Sequence, residues 1–204
     1  MNTTSSNKGL TMPVETLTPA EVARLMGSCN KGDTGVRNQA LIATLYRAGL
    51  RISEALALLP KDIDDGASTV RVLHGKGDKA RLVGIDAGAL TVIQRWLDRR
   101  AALGISAWKP IFCTLAGGAV SPDYVRGLMK RLARKSGITK RVHAHGLRHT
   151  HASELRAEGI DIGVIQKQLG HDNLQTTIIY LNHVAPQTVV DAIKGREWTP
   201  PLSS

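Results

Sequence analysis

The sequence predicts a mainly α fold of the α+β type, a helical domain carrying one small antiparallel β-hairpin. Three observations lead there. Apolar residues recur at helical spacing along most of the chain, as Val22, Leu25 and Met26 do near its start. Helix stops follow those stretches, at Gly49, Pro60 and Gly170. One region alone changes period: 69–73 and 81–85 are β-like runs flanking the Gly-rich connection Gly75-Lys76-Gly77-Asp78-Lys79. With 204 residues, 42% of them apolar, the chain can bury a genuine core, which argues against wholesale disorder.

The elements follow in order. Residues 1–14 are polar and aperiodic and read as a flexible tail. Thr18-Pro19-Ala20-Glu21 is a helix start, with Thr as N-cap, Pro at N1 and Glu at N3. A second helix spans about 36–48, turning Ala40, Leu41, Ala43, Thr44 and Leu45 inward. Residues 53–56 make a short helix that ends before Pro60, and helical pattern returns after the hairpin at 87–103. Ser121-Pro122-Asp123 caps a basic helix over 121–136. Further helices are expected at 147–158, 161–169, about 173–181 and about 186–195. No linker divides the chain, so 15–184 reads as one domain, followed by a C-terminal helix and tail at 185–204.

Charge narrows the function. Lys and Arg total 27 against 17 Asp and Glu, a net charge of +10, with an isoelectric point near 10.0. A chain this basic most often meets a polyanion. Between 126 and 141 stand Arg126, Lys130, Arg131, Arg134, Lys135, Lys140 and Arg141 without one acid, a candidate phosphate-tracking face. Lys79 and Arg81 of the hairpin join that set. Seven aromatics are too few for a base-stacking surface, so double-stranded DNA fits better than single strands. No apolar run nears the ~20 residues of a spanning helix, and the N-terminus lacks the apolar core of a secretion signal. The expectation is a cytoplasmic protein with no membrane partner. Cys29 and Cys113 are too few and too far apart for a disulfide framework or a Cys-based zinc site.

Five histidines, His143, His145, His149, His151 and His171, crowd the region from 143 to 171. They invite a zinc reading, but Gly146 follows His145 where an HExxH motif needs Glu, and no metal is expected. His145 and Arg148, three apart, can face one point at a helix start, where a guanidinium fork matches phosphate oxygens and an imidazole can move a proton. Gly170 sets His171 just past a helix end, and Tyr180 follows nine residues on. A tyrosine can act as a nucleophile if neighbours lower its pKa of about 10. Of the other tyrosines, Tyr46 lies in an apolar helix and reads as core, while Tyr124 opens the basic helix and could touch a phosphate. Taken singly, each of these residues is also compatible with a structural role.

Four blocks together carry a resemblance: Gly49-Leu50-Arg51-Ile52-Ser53-Glu54-Ala55-Leu56; Gly75-Lys76-Gly77-Asp78-Lys79-Ala80-Arg81; His145-Gly146-Leu147-Arg148-His149; and Leu169-Gly170-His171 with Tyr180. In this order the chain, from about Thr18 to its last helix, resembles the catalytic domain of the tyrosine recombinase (phage integrase) family. The resemblance implies a helical catalytic domain with a small sheet. Tyr180 would attack a DNA phosphate, leaving a 3′-phosphotyrosyl link and a free 5′-hydroxyl, with no cofactor. Arg51 and Arg148 would clamp the non-bridging oxygens, Lys76 would protonate the leaving oxygen, His145 would assist proton transfer at the tyrosine and His171 would hydrogen-bond the phosphate. Lys79 shares the hairpin, but the family's lysine stands between two glycines, as Lys76 does.

The resemblance also implies a short form. Most members carry an N-terminal helical domain that closes around DNA, and a first helix at Thr18 leaves no room for one, so a DNA-bending or core-binding partner is expected. Members work as tetramers on DNA, and the helix at 186–195, with Val189, Val190 and Ile193, would dock on a neighbouring protomer or on its own domain. The activity implied is site-specific integration, excision or inversion, often on a mobile element. Two other readings stay open: a non-cleaving DNA-binding regulator, whose mark would be a lost Arg, Lys or Tyr, and a relaxing enzyme similar to type IB topoisomerases.

Overall fold

The computed structural model describes residues 15–73 and 80–170. Seven α-helices and a three-stranded sheet are found there, and the helices expected at 173–181 and 186–195 lie outside the described residues. Helix α1, Pro19–Gly27, opens with the expected capping box: Glu21 N–H donates to Thr18 Oγ1 at 3.2 Å and Thr18 N–H donates back to the Glu21 carboxylate at 2.7 Å. Helix α2, Asp33–Arg47, is the hub of the core. Its Leu41, Ile42 and Leu45 are fully buried, and it packs against α4, Ala87–Ala102, and α6, Ala144–Ala157. Trp96 on α4 is completely enclosed and spends its one polar group on Ile111 O at 2.8 Å, so its indole carries no orphaned donor.

Helix α3 covers Ile52–Ala57. A 3₁₀ turn at Pro60–Asp62 then leads into β1, Ile63–Asp64, which pairs antiparallel with β2, Thr69–Val72. Strand β3, Arg81–Gly84, completes the order β1-β2-β3, with Val70 opposite Val83 and Val72 opposite Arg81. The hairpin is therefore two thirds of a sheet. Strand β1 is two residues long, too short for an alternating pattern to reveal it. Val70, Val72 and Val83 point into the core.

Helix α5, Pro122–Lys135, is capped by Ser121 as expected and buries Val125, Leu128, Met129 and Leu132, leaving its basic residues outside. Helix α6 starts three residues earlier than its sequence pattern suggests. The cap is an imidazole: Gly146 N–H donates to His143 Nδ1 at 3.0 Å, a service that Ser, Thr, Asp or Asn normally renders. Helix α7, Ile162–Leu169, ends at Gly170 in the left-handed conformation, φ 65°. Ala152 of α6 meets Ile165 and Leu169 of α7 in a small satellite core. Among the described residues no helix is long and apolar enough to cross a membrane.

Candidate active site

Arg51 and Arg148 are 97 positions apart in sequence, yet the fold brings them to consecutive carbonyls. Arg51 Nη2 donates to Gly170 O at 3.1 Å, and Arg148 Nη2 donates to Leu169 O at 2.6 Å. The second Arg148 nitrogen, Nη1, reaches Gly49 O at 2.6 Å. Arg148 is buried to 1% exposure, so these bonds hold its guanidinium on the turn before Arg51 on one side and the end of α7 on the other. Arg51 keeps 29% of its side chain exposed.

Glu54 is the residue that sequence reasoning missed. Its side chain is 2% exposed. It accepts from Arg51 N–H at 2.9 Å, from Arg51 Nη1 at 2.8 Å, and from both terminal nitrogens of Arg81 at 3.0 and 2.9 Å. Burial alone would raise its pKa; the Arg81 hydrogen bonds, the Arg51 N–H, the Arg81 charge and the Arg51 side-chain hydrogen bond overturn that and leave the carboxyl below its ordinary value. The signal was present in the Arg51-x-x-Glu54 spacing, which matches a helix N-cap with an N3 glutamate.

A carboxyl whose folded pKa is depressed stabilises the fold above its unfolded value, and that contribution fades as pH falls through the folded one. Glu54→Ala is expected to cost stability near the low end of the ~3–5 kcal/mol for breaking a buried ion pair, since Arg51 stays partly solvated. Denaturant unfolding at neutral and acidic pH measures it, and the wild-type advantage should shrink in acid.

The histidines form a packed array. The rings of His145 and His149 meet edge to face with centroids 4.5 Å apart, and His143 stacks on His145 at 6.3 Å. Burial pushes the His145 pKa down, and the charges of Arg148, His143 and Arg51 push it further, so the imidazole is neutral near pH 7 and able to accept a proton. His151 is driven lower still, to about 4, by burial and then by Arg47 and Arg148, with Asp86 opposing. Its ring lies against Gly49, where a Cβ would sit 2.6 Å from His151 Cδ2. With φ at +62° as well, that position accepts only glycine without strain. Among the described residues no three His, Cys, Asp or Glu side chains are grouped to hold a metal ion.

Lys76, Lys79, His171 and Tyr180 lie outside the described residues. The other two tyrosines are held by the fold. Tyr46 is buried and donates to Glu154 at 2.5 Å; burial first, then that carboxylate, raise its pKa to about 12. Tyr124 accepts from Arg37 Nη2 at 2.6 Å, and Arg37 and Arg131 lie over its ring.

The candidate phosphate face divides in two. Arg126, Lys130, Arg131 and Arg134 stand exposed on α5 and Arg141 is exposed beyond it, with Arg126 also paired to Asp123. Lys135, though exposed, donates to Ser28 O at 2.8 Å. Two members of the set are committed elsewhere: Lys140 bonds Glu21 at 2.7 Å and Thr16 O at 3.0 Å, tying the start of α1 to the segment before α6, and Arg81 is turned onto Glu54.

Comparison with known proteins bears on the fold and the family. The model of the phage integrase family matches residues 15–187. A tyrosine recombinase of Thermosipho africanus is 38% identical over 180 residues, which cover 87% of this chain and 60% of that protein. Among solved structures, the XerA recombinase superposes with a TM-score of 0.76 at 27% identity, over 90% of this chain and 66% of that one. The XerH site-specific recombinase, bound to its difH substrate in a pre-cleavage complex, gives 0.75 at 28% identity, over 93% of this chain and 56% of that one. The chain thus spans less than two thirds of the length of these proteins.

Proposed function

The chain belongs to the phage integrase family, and from that membership we propose that it is the catalytic part of a site-specific DNA recombinase that cuts and rejoins strands through Tyr180. One observation carries the reading: Arg51 and Arg148 converge on the Leu169–Gly170 carbonyls, immediately before His171, with a neutral His145 under the influence of both charges. A pair of guanidinium groups beside proton-accepting imidazole suits a phosphodiester whose charge grows in the transition state.

In the proposed reaction the Tyr180 oxygen bonds to phosphorus while the bond to the 5′-oxygen breaks. The phenolic proton passes to His145, and the departing oxygen takes a proton from Lys76. Arg51 and Arg148 hold the non-bridging oxygens, and His171 adds a hydrogen bond. The ester keeps the bond energy, so a 5′-hydroxyl from another strand reverses the step and completes the exchange. The exposed cations of α5 track the duplex backbone. The same reading makes the working unit a homotetramer on DNA, with the segment 185–204 exchanged between protomers, and assigns DNA bending or clamping to a partner or a further domain.

The test needs no knowledge of the target. The protein is incubated with sheared genomic DNA in EDTA, denatured in SDS, and the protein-linked fragments are sequenced. Fragments should accumulate at one or a few sequences. Adducts scattered over all sequences would indicate a relaxing enzyme instead, and binding without adducts would indicate a non-cleaving regulator.

A further inference from the structure

Arg81 was expected on the DNA face, and its surroundings say otherwise. Its side chain is only 15% exposed. Both terminal nitrogens are spent on the Glu54 carboxylate, and its Nε, buried, has no hydrogen-bond partner. The guanidinium lies against Gly170, where a Cβ would fall 2.7 Å from its Cζ and Nε. Gly170 in turn accepts from Arg51, and Arg51 returns to Glu54. The contacts close a ring, Arg51 to Glu54 to Arg81 to Gly170 and back, that joins the first residue of β3, the start of α3 and the end of α7.

Resting on the recombinase reading above, we infer that Arg81 is a positioning residue: through Glu54 it orients the Arg51 fork, and through Gly170 it seats the backbone from which His171 follows. Unlike the exposed cations of α5, Arg81 turns both terminal nitrogens toward a buried carboxylate rather than toward the outer face. The fork is required as well as the charge, because two nitrogens meet two oxygens of one buried carboxylate, a geometry that lysine cannot reproduce.

Three measurements on the full chain separate positioning from phosphate binding. With the fragment recovered from the adduct as substrate, Arg81→Gln should slow cleavage at saturating DNA by ~10- to 100-fold, the cost of a misplaced reacting group. Arg81→Lys should recover little of it. Affinity for a mixed-sequence duplex and its salt slope should stay as in wild type, whereas loss of a phosphate contact lowers that slope by about one. The acid limb of the rate profile should move to higher pH in Arg81→Gln. Glu54 faces Arg51 and Arg81, with Asp62 and Arg71 across the adjoining cavity, and losing Arg81 leaves burial less opposed.

Arginine side-chain NMR of the DNA-free chain reads the same inference without activity. Arg51 should show separate, slowly rotating Nη signals in wild type that collapse in Arg81→Gln, while thermal melting shows both variants folded. Persistent Arg51 signals, full recovery by Arg81→Lys, or a reduced salt slope with an unchanged rate would overturn the inference. A wild type that forms no adduct would instead overturn the function proposed above, leaving the NMR comparison to decide the role of Arg81.

Discussion

Tyr180→Phe is expected to bind DNA as wild type does and to form no covalent adduct. The substitution removes one oxygen and keeps the ring, so only the atom proposed to bond to phosphorus is gone. The loss should be complete, because neither remaining tyrosine is suited to replace it. Tyr46 is buried and holds its proton to a pKa of about 12 against Glu154, and Tyr124 is fixed beneath Arg37 and Arg131. A gel-shift titration beside an SDS-resistant adduct assay measures both properties. Adduct surviving in the variant would remove Tyr180 from the mechanism.

The second large effect belongs to Arg148. Arg148→Ala should slow cleavage by ~10²- to 10³-fold, as losing one oxyanion-type donor does. It should also destabilise the fold. The Gly49 and Leu169 carbonyls lose their donor at a buried site, a penalty of about 1–3 kcal/mol for each group left unsatisfied. Arg148→Lys keeps the charge and one bond, so it should fall between wild type and alanine. Single-turnover cleavage, compared below the lower melting temperature, keeps the two losses apart. A rate for the alanine variant within tenfold of wild type would contradict the assignment.

Much of this molecule is legible one turn at a time. Thr18-Pro19 and Ser121-Pro122 start helices where their cap chemistry says, because a cap hydrogen bond spans three residues and needs nothing distant. The α6 start was misread for the same reason: His143 is not a residue that cap statistics favour, and its ring took the role only in this setting. Strand β1 escaped because two residues hold no period.

The site follows the same division. Arg51, His145 and Arg148 could be named from motif order, since residue type and spacing are properties of the chain. The order of helices around a small sheet and the basic outer face of α5 were likewise determined by the sequence alone, through short-range periodicity and charge. What each charged group does was decided by tertiary structure. Arg81 and Lys140 look in sequence like the exposed cations of α5, yet one is bound to Glu54, 27 positions away, and the other to Glu21, 119 positions away. Whether a guanidinium meets solvent or a buried carboxylate depends on desolvation by segments remote in the chain, and local pattern carries no record of that. The closing of Arg51 onto Gly170, across 119 residues, is the same physics, and it is what turns separate motifs into one site.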